Sequence, residues 1–208
     1  MNNINDWIRR KILLFPVLLC LLFINILPAR ADEASFRALF TQLAQEGIVP
    51  NENGQFLSFG EFEDGFVKSG YCSVTPFLKA KRFVLSAEIS WTSGNQTSAS
   101  EFSGCGMVFN AAEEGTDHVM ASARMDGALY ISGIENGKYL SFAKFPNVLS
   151  SSARGTKLVL AVNGSEAVVY LDGVKKSHRY DLPVWGNSVG LSVLSGKCVF
   201  KDIEFYSW

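Results

Sequence analysis

The sequence has few of the residues and motifs that mark common enzyme classes. It contains only two histidines among 208 residues, too few for a zinc hydrolase site built on histidine ligands. It has no nucleophile elbow, no phosphate-binding glycine loop, no dinucleotide fingerprint and no His-Glu-x-x-His pattern. These absences exclude the nucleotide-binding and metalloprotease classes that such motifs define, and the sequence indicates no catalytic residue and no metal ligand.

Clusters of positive charge are missing from residue 32 onward. Four of the 19 basic residues and one of the 20 acidic residues precede that point, which leaves 15 basic and 19 acidic residues after it. Nucleic-acid binding needs a basic patch, and docking on an anionic membrane surface needs clustered Lys and Arg. Neither a nucleic-acid partner nor electrostatic membrane docking is therefore expected.

The amino terminus has the pattern of an export signal. Three basic residues at 9–11 precede an apolar stretch over 12–27, and the tripeptide 29–31 has small residues at both positions that a signal peptidase reads. The stretch is shorter than the roughly 20 residues that cross a bilayer as a helix. We expect residues 1–31 to be a cleaved signal peptide and the protein to be secreted or periplasmic. Contact with a membrane would come only through an uncleaved signal segment.

Cysteine is scarce after that segment. Cys72, Cys105 and Cys198 remain, and an oxidising compartment favours one disulfide with one cysteine left over. Their spacings of 33 and 93 residues match no zinc pattern. All three pairings remain open.

One amphipathic helix is predicted before the β-rich region. Its apolar residues recur at helical spacing, at Phe36, Leu39, Phe40, Leu43 and Ala44. A turn-rich joint over 50–54 follows, so that residues 32–54 form the helix and joint. The helix either packs on the rest of the protein or docks on a partner protein.

Asn-Gly and Asp-Gly pairs punctuate the last two thirds of the chain. They occur between apolar runs at Asp126-Gly127, Asn136-Gly137, Asn163-Gly164 and Asp172-Gly173. Such pairs accept the positive φ of tight hairpin turns, so each marks a chain reversal. Repeated reversals without intervening helices predict an antiparallel β-sandwich or barrel over residues 55–208.

Alternating and apolar runs predict the individual strands. They lie at 55–59, 65–74, 83–91, 104–110, 118–125, 128–134, 138–145, 157–162, 167–171, 175–180, 189–194 and 198–206. Trp91 falls in the core phase of its strand. Phe200, Ile203 and Phe205 break strict alternation in the last strand, which predicts a bulge near Lys201-Asp202.

The order of several motifs resembles a known superfamily. A Phe-led strand over 83–91 is followed by Ser-Gly-Cys-Gly-Met-Val-Phe and an Asp-Gly hairpin, then by Lys-Leu-Val-Leu-Ala-Val-Asn-Gly, Val-Val-Tyr-Leu-Asp-Gly and Phe-Lys-Asp-Ile-Glu-Phe. Over residues 60–208 this order resembles the concanavalin A-like lectin/glucanase superfamily, with laminin-G-like modules and the 3-keto-disaccharide hydrolase-like domain as its nearest likeness. The resemblance implies an all-β fold, a jelly roll of two antiparallel sheets. It also implies that sugar or protein ligands bind on a concave sheet face or on the rim loops.

Carboxylate pairs at strand spacing are the candidates for glycosidic chemistry, which needs two carboxyls facing one sugar. The glucanase members of the superfamily carry Glu-x-Asp-x-x-Glu on one strand, whereas Glu61-Phe62-Glu63-Asp64 lacks the third acid. We expect Glu61 and Glu63 to lie on a solvated edge. Asp202 and Glu204 flank the predicted bulge, where a structural role is expected.

Aromatic and polar side chains are the candidates for ligand binding, because sugar rings stack on aromatic faces while their hydroxyls need polar partners. The candidates are His118, Arg124, Tyr130, Tyr139 and Trp185. His118, Met120, Ser122 and Arg124 alternate with apolar residues, so this set lines either a binding face or a solvent-facing stripe. No cofactor is expected, although Asp117, Asp126 and Asp172 offer oxygen ligands for Ca²⁺.

Three functions follow as hypotheses. The first is an exported, non-catalytic module that binds carbohydrate through a concave sheet face and rim loops. The second is a secreted glycoside hydrolase of the 3-keto-disaccharide hydrolase-like type. The third is an envelope protein-interaction domain that uses the helix over 36–44 as its contact. A helix stripe that is buried would remove the basis of the third.

Overall fold

The computed structural model describes residues 29–50, 54–66, 72–93, 103–149 and 155–208. These residues form one helix, α1 (Ala29–Gln45), and thirteen strands. The strands are β1 (Gln55–Phe59), β2 (Phe62–Phe66), β3 (Cys72–Lys79), β4 (Arg82–Ser93), β5 (Gly104–Ala111), β6 (His118–Arg124), β7 (Leu129–Glu135), β8 (Lys138–Phe145), β9 (Thr156–Asn163), β10 (Glu166–Leu171), β11 (Val174–Arg179), β12 (Ser188–Leu194) and β13 (Gly196–Ser207). Residues 1–28 of the predicted signal peptide and 51–53 of the predicted joint lie outside the described residues.

Contacts divide the chain into residues 1–36 and 37–208, and the second unit contains all of the strands. Its strands form two antiparallel sheets. The seven-stranded sheet has the order β1-β13-β4-β9-β10-β11, with β2 also paired to β13, and the six-stranded sheet has the order β3-β12-β5-β6-β7-β8. The predicted all-β sandwich preceded by one short helix is confirmed.

The core lies between the two sheets because apolar residues alternate along each strand. Phe83, Phe109 and Phe200 are fully buried in it, and the rings of Phe83 and Phe205 stack with centroids 5.4 Å apart. Trp91 belongs to the same cluster, as predicted.

A disulfide between Cys105 of β5 and Cys198 of β13 links the two sheets. Their Cα atoms are 5.8 Å apart, and the two cysteines are separated by 93 residues in the sequence. This pairing is one of the three that the sequence left open. Cys72 begins β3, and its side chain lies outside the described part of the chain.

The predicted chain reversals are confirmed, and the backbone conformation of the turns is of two kinds. Asn136-Gly137 and Asp172-Gly173 have positive φ at both residues, as type I′ turns require. At Asp126-Gly127 and Asn163-Gly164 only the glycine has positive φ. These last two reversals therefore use other turn geometries.

The predicted bulge in the last strand is confirmed. The pairing of β13 with β4 shifts between Lys201 and Glu204, and Asp202 has a φ of 47°. Because of this shift, Phe200, Ile203 and Phe205 all reach the core.

The predicted strand over 65–74 is wrong. The structure has two strands there, β2 and β3, and residues 67–71 lie outside the described residues. The sequence of β2 lacks the apolar pattern by which the other strands were predicted, because Glu63, Asp64 and Gly65 lie between its terminal phenylalanines. β2 pairs on one side with β13, and its polar sequence is typical of a solvated edge strand. β3 includes Pro76, which an edge strand tolerates.

From residue 37 onward, helix α1 packs on the face of the seven-stranded sheet that points away from the core. The ring of Phe40 lies 4.2 Å from that of Tyr206 on β13, and Tyr170 on β10 donates its hydroxyl hydrogen to Glu46. Leu43 is fully buried. The stripe is therefore a packing surface, which confirms the packing prediction and removes the basis of the partner-docking alternative. Within the described residues, no helix is long and apolar enough to span a bilayer.

Candidate functional site

The six-stranded sheet presents a second surface on the side away from the core, here called the outward face. Cys105, Met107 and Phe109 of β5 face the core, so the residues between them face outward. One row across this face runs through Val74, Ser192, Gly106, Ser122, Tyr130 and Lys144. The next row runs through Pro76, Gly190, Val108, Met120, Ser132 and Ser141. Small and polar residues thus fill the centre of the first row, and large polar residues stand at its β8 end.

The packing at Gly106 is close. A Cβ atom on this residue would lie 3.0 Å from both Cγ and Sδ of Met120, so the Met120 side chain lies beside Gly106. Met120 is 2% exposed, and Ser122 and Ser192 in the adjacent row are buried as well. The centre of the outward face is therefore buried, whereas Tyr139 at its β8 edge is 50% exposed.

Arg124 contacts two tyrosines and a serine near that edge. Its guanidinium carbon lies 3.9 Å from the centroid of the Tyr130 ring and 5.9 Å from that of Tyr139. Its Nη2 donates to the Tyr139 hydroxyl at 3.3 Å, and its Nε donates to the Ser122 hydroxyl at 3.2 Å. Cation–π attraction strengthens where the cation is removed from water, and Arg124 is 2% exposed.

Two charged side chains complete the group, which we call the arginine–tyrosine cluster: Arg124, Asp126, Tyr130, Tyr139 and Lys144. Tyr130 donates its hydroxyl hydrogen to Asp126 Oδ2 at 2.5 Å, and Lys144 Nζ lies 3.2 Å from the same oxygen. Lys144 Nζ also lies 4.9 Å from the centroid of the Tyr130 ring. Each polar group is therefore fixed by at least one other.

These contacts shift three pKa values in the cluster. Burial alone would raise the pKa of the Asp126 carboxyl, but hydrogen bonds from Tyr130, the Ala128 N–H and Lys144 lower it below its ordinary value. Burial, together with the bond to Asp126, raises the pKa of the Tyr130 hydroxyl. Hydrogen bonds to Tyr130 and Asp126 raise the pKa of Lys144. At neutral pH, Asp126 is therefore an anion, Lys144 a cation and Tyr130 a neutral donor.

The structure brings three of the five predicted site residues together. Arg124, Tyr130 and Tyr139 lie in the cluster, whereas Trp185 lies in the segment before β12, where its Nε1 donates to Glu135 at 3.2 Å. The sequence reasoning missed Lys144, and it considered Asp126 for a hairpin turn and as an oxygen ligand for Ca²⁺ but not for this cluster. The Ala128 N–H does donate to Asp126 Oδ1 at 3.0 Å, so this carboxylate serves both the turn and the cluster. A role in ligand binding stays a prediction for all of these residues.

His118, the remaining predicted residue, lies on the outward face but is 2% exposed. Its Nδ1 is 2.8 Å from the Gly115 carbonyl oxygen, and it therefore donates to that oxygen and braces the turn before β6. Met120, Ser122 and Arg124 on the same strand face are also at most 2% exposed. The solvent-facing alternative for this set is therefore wrong.

Several buried polar atoms of the outward face lack a protein partner. Within the described residues, the hydroxyls of Ser132 and Ser192 and the Nε2 of His118 have no hydrogen-bond partner. An unsatisfied buried polar group costs about 1–3 kcal/mol, so native proteins rarely leave three on one face without a reason.

The buried His118 predicts a specific response to acid. Burial lowers the pKa of His118, so the unfolded chain binds a proton at the ordinary pKa of about 6.5 before the folded protein does. The free energy of unfolding should therefore fall as the pH drops from 7 to 5. We expect urea denaturation to show a smaller fall for His118→Asn, whose amide can replace the bond to Gly115. Parallel pH profiles for the two proteins would contradict this assignment.

The carboxylates considered for catalysis do not converge. Glu61 pairs with Lys201 at 3.2 Å and Glu63 with Lys197 at 2.7 Å, and the side chains of both acids are about half exposed. The expected solvated edge is confirmed. Glu204 is buried with its Oε2 3.7 Å from Lys157 Nζ. The neighbouring Asp202 is exposed at the bulge.

The oxygen ligands considered for Ca²⁺ are dispersed among turns. Asp117 accepts from the N–H of Asn136 at 2.7 Å, and Asp172 accepts from the N–H of Lys157 at 2.8 Å. Among the described residues, no group of three or more His, Cys, Asp or Glu side chains could hold a metal ion. Calcium binding stays a prediction.

Solved structures with the same architecture decide the fold type. A carbohydrate-binding module, CBM66, from Bacillus subtilis aligns with a TM-score of 0.52 and 15% identity, over 73% of this chain and 91% of the module. A protein of unknown function with a galectin-like fold from Bacillus subtilis aligns with a TM-score of 0.50 and 11% identity, over 74% of this chain and 89% of that protein. The fold is a concanavalin A-like, galectin-like β-sandwich.

A third structure aligns with this chain over only part of its own length. The Aspergillus kawachii β-fructofuranosidase aligns with a TM-score of 0.52 and 14% identity, over 77% of this chain but 28% of the enzyme. These likenesses concern the fold alone. No protein-family model and no curated protein matches the sequence.

Proposed function

We propose that the protein is an exported, non-catalytic module that binds carbohydrate at the arginine–tyrosine cluster of the outward face. The observation that carries the proposal is the cluster itself, in which an exposed tyrosine ring stands beside fixed donors and acceptors. Sugars present apolar C–H faces that stack on such rings and hydroxyls that bond to such groups. Tyr139 would supply the ring, and Asp126 and Lys144 would supply an acceptor and a donor.

The rest of the face supports the same ligand class. The unpartnered hydroxyls of Ser132 and Ser192 lie on the same outward face. Ser192 is in the row that contains Tyr130 and Lys144, and Ser132 is in the adjacent row. The similar fold of a carbohydrate-binding module adds general support.

Export is proposed from the sequence together with the disulfide. Disulfides persist in oxidising compartments and are rare in the cytosol, and Cys105–Cys198 is buried in the core. This agrees with the signal-peptide pattern over residues 1–31. The binding experiment includes calcium as a variable, because the sequence offers oxygen ligands for this ion.

The arrangement of the carboxylates supports the non-catalytic part of the proposal. Hydrolysis by either common mechanism needs two carboxyls flanking the bond, about 5 Å or about 6.5–9.5 Å apart. The described part of the cluster holds one, Asp126, which is tied to Tyr130 and Lys144. The glycoside hydrolase alternative would need a second carboxylate at this site.

The test is a glycan array probed with the purified protein, with and without calcium. Saturable binding to a defined glycan class, with the glycans recovered intact, is the expected result. Recovery of cleaved glycans would replace the proposal with the hydrolase alternative. No binding in either buffer would overturn it.

The variant Tyr139→Ala locates the site. We expect it to weaken binding of the best array glycan by tenfold or more, because the sugar loses both the ring on which it stacks and the apolar area that this contact buries. Tyr180→Ala is the matched control, since Tyr180 is 58% exposed and follows β11 at the edge of the other sheet. Isothermal titration calorimetry with both variants would measure the difference. Equal losses of affinity in the two variants would show that the glycan does not bind at the cluster.

A further inference from the structure

An apolar cavity lies at the edge of the sandwich, away from the outward face. It has a volume of about 250 Å³, and Phe59, Phe62, Phe77, Leu191 and Ile203 form its apolar walls. Leu191 and Ile203 belong to the core between the sheets, so the cavity reaches into that core. It opens near the turn between β1 and β2, where Phe59 is 36% exposed.

The strand arrangement explains the gap. β1 and β2 pair with opposite halves of the same strand, β13, and the facing edge strand of the other sheet is β3. Aromatic rings hold the walls in place: Phe59 and Phe77 meet edge to face at 5.5 Å, and Phe62 lies 6.1 Å from Phe200. Apolar walls that are open to solvent lose the contacts that a filled core would provide.

The volume sets the size of the ligand. A cavity of roughly 150 Å³ with Leu, Ile and Phe walls binds benzene. A cavity of about 250 Å³ therefore accommodates an unbranched chain of roughly ten carbons on the same scale. Six of the eight lining residues have no polar side-chain atom, so the part of the ligand that enters must be a hydrocarbon.

The charged residues at the mouth of the cavity indicate the chemistry of the ligand's head group. Glu61 lines the cavity, and its Oε2 lies 3.2 Å from Lys201 Nζ. A hydroxyl can donate to a carboxylate and accept from an ammonium at the same time. A carboxylate head would be repelled by Glu61, whereas a hydroxyl satisfies both members of the ion pair.

We propose that this cavity binds a single unbranched alkyl chain of about eight to ten carbons, with an uncharged hydroxyl head at the Glu61–Lys201 pair. The chain lies against Phe59, Phe62 and Phe77, and its end reaches Leu191 and Ile203. The proposal does not depend on carbohydrate binding at the outward face.

Titration calorimetry with 1-hexanol, 1-octanol and 1-decanol tests it on the purified protein. Each added methylene that is buried strengthens binding by about fourfold, so two methylenes should lower the Kd by about 16-fold. Octanoate should bind more weakly than 1-octanol. A failure to detect saturable octanol binding, or affinities that do not change with chain length, would overturn the proposal.

Two variants assign the binding to this cavity. Thr75 also lines it, so Thr75→Phe should fill the space and weaken octanol binding by tenfold or more. Lys79→Phe on the same strand is the matched control, because Lys79 pairs with Glu113 at the surface and should leave the affinity unchanged. Equal affinity of Thr75→Phe and the unaltered protein would contradict the assignment.

The second variant, Glu61→Gln, keeps the test decisive if Thr75→Phe fails to fold. It changes an exposed side chain and removes the repulsion of a carboxylate head. Octanoate should then bind about as tightly as 1-octanol. An unchanged preference for the alcohol over octanoate would show that the head group does not lie at Glu61.

Discussion

Replacing both Cys105 and Cys198 with alanine is expected to lower the free energy of unfolding by about 3–5 kcal/mol. The disulfide closes a loop of 93 residues, and a cross-link over a long loop removes much conformational freedom from the unfolded chain. It also joins β5 in one sheet to β13 in the other. Denaturation in guanidinium chloride, followed by circular dichroism, would measure the loss.

Cys72→Ala is the control for this experiment, because it removes a cysteine and leaves the cross-link intact. It should unfold close to the denaturant midpoint of the unaltered protein. Addition of a thiol reductant to the unaltered protein should lower its stability toward that of the double variant. A double variant that loses less than about 1 kcal/mol would show that packing of the sheets, and not the cross-link, provides the stability.

The largest effect of a single substitution is expected from Leu43→Asp in α1, at least about 4 kcal/mol. Truncation of a buried leucine costs about 2–5 kcal/mol, and an unpaired buried carboxylate adds a desolvation penalty. Leu43 is fully buried between contacts that Phe40 and Glu46 make with the seven-stranded sheet. Urea denaturation would measure the change.

Gln45→Asp is the matched control, since Gln45 is exposed on the same helix and should change stability by less than about 0.5 kcal/mol. Hydrogen exchange then identifies what the helix protects. Val84, Ala161 and Val168 form one row beside Tyr206 and are at most 3% exposed. Leu43→Asp should speed amide exchange in their strands. Unchanged exchange there would contradict the packing of α1 on this row.

Much of the sandwich could be predicted because local chemistry and global fold agree. β1 and β8 have the predicted bounds, and the bulge at Asp202 follows from the positions of three apolar residues. Hairpin partners are likewise local, since Asn136-Gly137 joins β7 directly to β8. Strand pairing between distant parts of the chain, such as β3 with β12, has no comparable signal in the sequence.

The cluster shows where such reasoning stops. From the Asn136-Gly137 turn, a regular ladder pairs Ser132 with Ser141, and the same register would set Tyr130 opposite Ala143. A shift between Ile131 and Ser132 instead sets Lys144 opposite Tyr130. One irregular residue thus brings Lys144 into the cluster, and the alternation of β8 gives no sign of it.

The order of the strands also bears on when the fold can form. β1 and β2 pair with β13, the last strand, and β3 pairs with β12, the strand before it. While the chain is still on the ribosome, its first three strands have no neighbour to join. β1, β2 and β3 therefore acquire their partners only once residues 188–207 have been synthesised, and a chain truncated before Ser188 should leave these three strands unpaired.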